Sequence, residues 1–182
     1  MREVAILGVG QTAVREQWDR SIRQLAVDAG RAAMQDAGVD RVDAIYVGNM
    51  TSGLLNQQMQ LGALVADHLN QHGAEAVKME AACGSAGSAM RQGILAVSSG
   101  ELDAVLVIGV EKMTETPFKE TTAALTTAAD ADYEIIHGVT FVGLNALIMR
   151  RYMHEYGYQR SDFAPFALNA HSNGAKNLNA MF

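Results

Sequence analysis

The sequence lacks most of the features that mark a specialised protein class. Of its 182 residues one is cysteine, two are proline and 6% are aromatic, with a single tryptophan. A lone cysteine, Cys83, excludes an intramolecular disulfide framework and any zinc centre built from clustered cysteines. The five histidines, at 68, 72, 137, 154 and 171, form no HExxH pattern, so no metal site is expected. Two prolines and no fixed repeat exclude collagen-like and low-complexity chains. Long apolar runs are missing as well. A membrane-spanning helix needs roughly 20 consecutive apolar residues, and Ala104 to Val110 stops well short of that. The opening MREVAILGVG has too brief an apolar run for a secretory signal, and no cleavage pattern follows it. Basic residues number 14 against 20 acidic ones, a formal charge of −6. That is the wrong sign for a general nucleic-acid binder. These absences predict a cytoplasmic protein with neither a membrane nor a nucleic acid as partner.

The residues that are present, 49% apolar and 19% charged, suit a globular chain able to bury a sizeable core. Val4 to Val9 reads as a buried strand. Ser21 with Gln24 three residues on is a capping box. Ile22, Leu25, Ala26, Ala29 and Ala33 follow at helical spacing, and Gly38 stands where a helix stops. Ala44 to Val47 predicts a second strand, Gln57 to Leu69 a helix, Glu75 to Ala81 a third strand and Leu102 to Val110 a fourth. Between the last two, a helix of small residues runs from Gly84 to Ser99. Strands alternating with helices predict an α/β fold, a mostly parallel sheet with helices on both faces. Beyond it the pattern changes. Residues 114–136 show no sheet period, and helices are predicted over about 139–156 and 162–173. The expected division is therefore a core over 1–112, lacking its last strand, and a partial helical excursion over 113–182.

Gly8-Val9-Gly10 follows a strand, as in a dinucleotide fingerprint, but the helix expected at those glycines begins only near Ser21. A strand-to-loop turn is the better reading. Cys83 falls at a strand-to-helix junction, where free backbone N–H groups concentrate positive charge. Thiols in such places are often nucleophilic, and the cysteine's own amide can serve in an oxyanion hole. A small buried hydrophobe is the other reading, and position alone leaves both open. His137, ahead of a helix, is a candidate for lining a substrate cleft, whereas the other histidines and Arg150-Arg151 read as solvated. The ten methionines read as packing residues.

Val77-Lys78-Met79-Glu80-Ala81-Ala82-Cys83-Gly84-Ser85-Ala86-Gly87 resembles the nucleophile segment of the thiolases, the acyl-CoA acetyltransferases of a wider superfamily. Gly109-Val110-Glu111-Lys112-Met113-Thr114 resembles the stretch that follows their fourth strand. Arg151 to Gly157 and His171 to Asn177 most resemble the archaeal and sterol-carrier-like branch. The resemblance implies that Cys83 takes the acyl group from a CoA thioester. It makes Met113, with His137, a candidate substrate-binding residue, and it implies no metal or organic cofactor. Thiolases consist of two similar halves, and only the first is matched. The activating histidine, the second histidine of the oxyanion hole and the acid/base cysteine lie in the other half. The expectation is thus acetyl-CoA C-acetyltransferase chemistry, active only together with a C-terminal half in the same or another chain, in a homo-oligomer. A condensing synthase of the ketoacyl or hydroxymethylglutaryl-CoA type, or a non-catalytic assembly subunit, is the alternative.

Overall fold

In the computed structural model, which describes residues 2–182, the first regular element is the helix that Ser21 starts. The Ser21 hydroxyl accepts the Gln24 N–H at 3.2 Å, and Gln24 Oε1 accepts the Ser21 N–H at 2.7 Å. This capping box opens α1 (Ile22–Ala37), and Gly38, at φ 67°, closes it in the left-handed conformation. Ile22, Leu25, Ala26, Gly30 and Met34 form its buried stripe.

Three short strands follow, β1 (Ala44–Gly48), β2 (Glu75–Met79) and β3 (Val105–Gly109), parallel and in the order β2-β1-β3. The register places Gly48 opposite both Met79 and Gly109. Central β1 is buried along its whole length, and its alternation divides the core. Ile45 and Val47, with Leu106 and Ile108, pack against α1 and α3 (Leu61–His68). Ala44 and Tyr46 face α4 (Ser85–Ser99), where Ala89 is buried. Helices thus cover both faces of the sheet, as the sequence predicts. Gly62 lets α3 approach closely, since a Cβ there would lie 2.7 Å from the Val77 backbone. At the opposite end of the strands, Asp43 Oδ2 accepts the N–H groups of Asp103 and Ala104, both at 2.9 Å.

Several predicted elements form differently. Val4 to Val9 is not a strand and pairs with none; Ile6, Leu7 and Val9 are exposed. Its anchors are Arg2, bonded to Asp103 at 2.8 Å, and the Val9 N–H, bonded to Asp36 at 2.9 Å. Apolar alternation permits a strand, but a strand also needs a partner edge. Between this segment and the outer edge of β3 lies a cavity of about 180 Å³. Gly8 and Gly10 press on the backbone of α1 from Ala29 to Ala37, far from its N-terminus. Close packing therefore accounts for these glycines. The helix predicted from Gln57 begins only at Leu61, because Gln57 and Gln60 adopt left-handed φ values of 51° and 55°. A short α2 (Ser52–Leu55) precedes it. Met34 is buried and Met79 packs half-buried against the cluster of Ala44, Tyr46 and Ala89, whereas Met59, Met90 and Met181 are exposed, so the reading of the methionines as packing residues holds only for some of them.

The described residues cluster into two compact units. One reaches Thr12 and resumes over Glu16–Glu115; the other comprises Ala13–Arg15 and Thr116–Phe182. The second unit contains α5 (Phe118–Thr126), α6 (Phe141–Tyr156) and α7 (Ala164–Gly174). Thr140 caps α6, Gly157 ends it, and Pro165 sits harmlessly in the first turn of α7. Tyr152 gathers the rings of Tyr156, Tyr158 and Phe163 at centroid distances of 4.7, 5.4 and 6.1 Å. Among its described residues only Ala124 is a buried apolar side chain.

Candidate active site

Because the strands are parallel, their C-terminal ends share one edge, and the three loops leaving that edge can meet. Asn49 follows β1, Cys83 follows β2 and Met113 follows β3. Asn49 is 1% exposed and ties the three ends together. Its N–H donates to Met79 O at 3.0 Å and its Nδ2 to Val110 O at 2.7 Å, while its Oδ1 accepts the Ser52 N–H at 3.0 Å. Every polar group of this buried amide is therefore used, as burial demands. Glu111 holds the next two residues: its carboxylate accepts the N–H groups of Met50 and Thr51 and the Thr51 hydroxyl.

Cys83 lies in a single 3-10 turn, Ala82–Gly84, directly before α4. The thiol is exposed. That removes the reading of Cys83 as a small buried hydrophobe. Ala82, just before it, adopts a left-handed φ of 48° without being glycine, an uncommon conformation that the surroundings must hold. Ser85 Oγ accepts the Ala81 N–H at 2.9 Å and donates to Ala82 O at 2.7 Å. The Glu80 carboxylate accepts the Ala82 N–H. Gly84 donates its N–H to Ala81 O at 2.9 Å.

The first turn of α4 rests directly on bare strand ends. A Cβ on Gly48 would lie 2.5 Å from the Ala86 backbone, and one on Gly109 would lie 2.7 Å from Ala86 Cβ. These glycines bring Cys83 to the sheet edge.

After β3, Lys112 is buried and pairs with Glu115, whose carboxyl that hydrogen bond holds below the usual range. Lys112 O also accepts the Asn56 Nδ2 at 3.1 Å. Met113 is half-buried in the same loop. His137 belongs to the second unit, exposed on the 3-10 turn Ile135–His137, its ring edge-on to Tyr133 at 6.5 Å. Among the described residues, no group of three His, Cys, Asp or Glu side chains could hold a metal ion. No helix among them is long and apolar enough to cross a membrane.

Asn49, Ser85 and Glu111 carry much of this geometry; Ser85 and Glu111 lie in the segments that resemble the thiolases, but no pattern in the sequence pointed to their roles. Their roles depend on loops that converge from distant parts of the chain. A polar residue just after a predicted strand is the only signal available, and many solvated loop residues share it.

The thiolase N-terminal domain family matches residues 4–182. The acetyl-CoA acetyltransferases of Methanothermobacter thermautotrophicus and Methanocaldococcus jannaschii are 44% and 42% identical over the whole chain. The chain spans about half the length of these curated relatives, 48% and 46%. The solved structure of acetyl-CoA acetyltransferase from Syntrophomonas wolfei aligns with a TM-score of 0.72 at 18% identity, covering 94% of this chain and 46% of that one, a likeness of fold. The chain belongs to the thiolase family and carries its N-terminal domain.

Proposed function

We propose that this chain supplies the nucleophile of an acetyl-CoA C-acetyltransferase. The observation that carries the reading is the exposed Cys83 at the C-terminal edge of the parallel sheet, in a chain 42–44% identical to acetyl-CoA acetyltransferases. The Cys83 thiolate attacks the carbonyl carbon of acetyl-CoA, and collapse of the tetrahedral intermediate expels CoA as its thiolate. The product is acetyl-Cys83. A base then removes a methyl proton from a second acetyl-CoA. The resulting carbanion attacks acetyl-Cys83, expels the Cys83 thiolate and leaves acetoacetyl-CoA. Splitting the transfer into two steps is what covalent catalysis contributes. The Cys83 amide, in the middle of the turn, is the proposed donor to the oxyanion. The sequence of steps balances without a metal or an organic cofactor.

Met113, in the loop after β3, is proposed to contact the acyl-CoA, and His137 is kept as a separate candidate substrate-binding residue of the second unit. The proton-transfer residues are assigned to the remaining half of the relatives' length, whether in this polypeptide or a partner. The unpaired outer edge of β3 and the exposed residues of segment 4–9 support such a partner, since open edges and apolar surface favour association. Exposed Val77 on the other edge strand supports association between copies. A working thiol requires a reducing compartment, so cytoplasmic residence is part of the proposal.

The test is thiolysis of acetoacetyl-CoA by CoA in the complete assembly, with mass detection of acetylated chain. Cys83→Ser is expected to lower turnover on the order of a thousandfold or more and to leave no acetyl adduct. Full turnover by that variant would make the chain a non-catalytic subunit.

A further inference from the structure

We infer that Ser85 is a positioning residue for Cys83, holding Ala82 in its left-handed conformation; this rests on the assignment of Cys83 as nucleophile. The Ser85 side chain is buried at the first position of α4, 4% exposed, and it is not the reacting group. Its hydroxyl uses both bonding capacities on the turn that carries Cys83, accepting from Ala81 N–H at 2.9 Å and donating to Ala82 O at 2.7 Å. These two bonds fasten the peptide groups on either side of Ala81–Ala82. The Glu80 carboxylate fastens the Ala82 N–H from outside. Between the fastened residues sits one at φ 48° that has a Cβ.

Left-handed φ is disfavoured for an alanine and free for a glycine, because the Cβ crowds the following carbonyl. Released, Ala82 would return to negative φ. The peptide joining it to Cys83 would turn with it and swing the Cys83 side chain relative to the first-turn N–H groups of α4. Gly48 and Gly109 fix the helix against the sheet on the other side, so the turn is the part left to move. Ser85 therefore acts on the thiol through the backbone, without touching substrate.

The test is the second-order rate of Cys83 alkylation by iodoacetamide in the full 182-residue chain, with folding followed by circular dichroism. Ser85→Ala is expected to slow alkylation about five- to tenfold, the scale of one disfavoured backbone conformation. Adding Ala82→Gly, which removes the need for the clasp, restores the rate to within about twofold. Ala82→Val, with Ser85 intact, slows alkylation, because a β-branched residue resists positive φ. In the complete assembly the same Ser85→Ala change lowers kcat with KM little changed. An unchanged alkylation rate in Ser85→Ala, or a double variant no faster than Ser85→Ala, overturns the inference. If Ser85→Ala fails to fold, Ala82→Val decides, and an unaltered rate there overturns it equally. Cys83→Ser separates the two ideas: turnover that survives it sinks the nucleophile assignment, while the alkylation rates still report on the clasp.

Discussion

Helices α1 and α6 are each 16 residues long; each is N-capped by a hydroxyl side chain and closed by a left-handed glycine, Gly38 or Gly157. They differ in what they cover. α1 buries six residues, whereas α6 buries none, and Leu147, Ile148 and Val142 stand exposed on it. Capping and helix propensity are settled within a turn or two of chain, so both helices form with equal definition. Burial needs a facing surface. The parallel sheet provides one for α1, while the second unit is held by a knot of aromatic rings around Tyr152. Tertiary packing supplies most helical stability in proteins, so the first unit is expected to be the more stable of the two.

The strongest test of this contrast exchanges leucine for alanine on each side. Leu61→Ala, at a fully buried site, is expected to cost about 2–5 kcal/mol in urea unfolding. Leu147→Ala in α6 should change stability by no more than about 0.5 kcal/mol. Equal costs would erase the distinction between the units. Glycines give a smaller effect within α4 and its seat. Gly48→Ala drives a Cβ to 2.5 Å from the Ala86 backbone and is expected to cost about 1–3 kcal/mol. Gly87→Ala meets nothing within 4 Å and should stabilise the helix by up to about 1 kcal/mol. Thermal melting of the two variants reads the opposite signs. A loss from Gly87→Ala would mean that something other than helix propensity governs that position.

The mildest probe is acid. Asp43 joins the start of β1 to that of β3, and the N–H of Ala104, then that of Asp103, holds its carboxyl below the usual 3.8. A depressed carboxylate contributes stability that is complete above the unfolded value and lost as pH falls through the lower folded one. The stability difference between the native chain and Asp43→Asn should therefore be constant above about pH 4 and shrink below it. A difference that persists unchanged in acid would show that shape, not charge, matters at this residue.

Much of the fold could be read in advance because it follows short-range rules. Ser21 with Gln24, Gly38, the apolar run before Gly109 and the late helices all behave as their local chemistry requires. Val4–Val9 failed because strand formation is a two-body event, and apolar alternation says nothing about the neighbour. Gln57 and Gln60 failed because left-handed glutamines carry no compositional signal. In the candidate site, Cys83 was legible from its place between a strand and a run of small residues. Asn49, Glu111 and Ser85 were not, since each acts on backbone groups that only the folded chain brings within reach.

By itself the sequence determined where helices start and stop, which faces of β1 and α1 are apolar, and that one thiol stands ahead of α4. Those properties depend on residues a few positions apart. The tertiary structure alone decided that the three strand ends meet at one edge, that Asn49 ties them together, that Gly48 and Gly109 seat α4 against the sheet, and that Cys83 faces outward. These depend on approaches between segments some tens of positions apart, as between Asn49 and Val110, which are 61 positions apart. No local propensity encodes such distances, because they are fixed only when the packed layers exclude water and buried groups such as the Asn49 side-chain amide find partners on other segments.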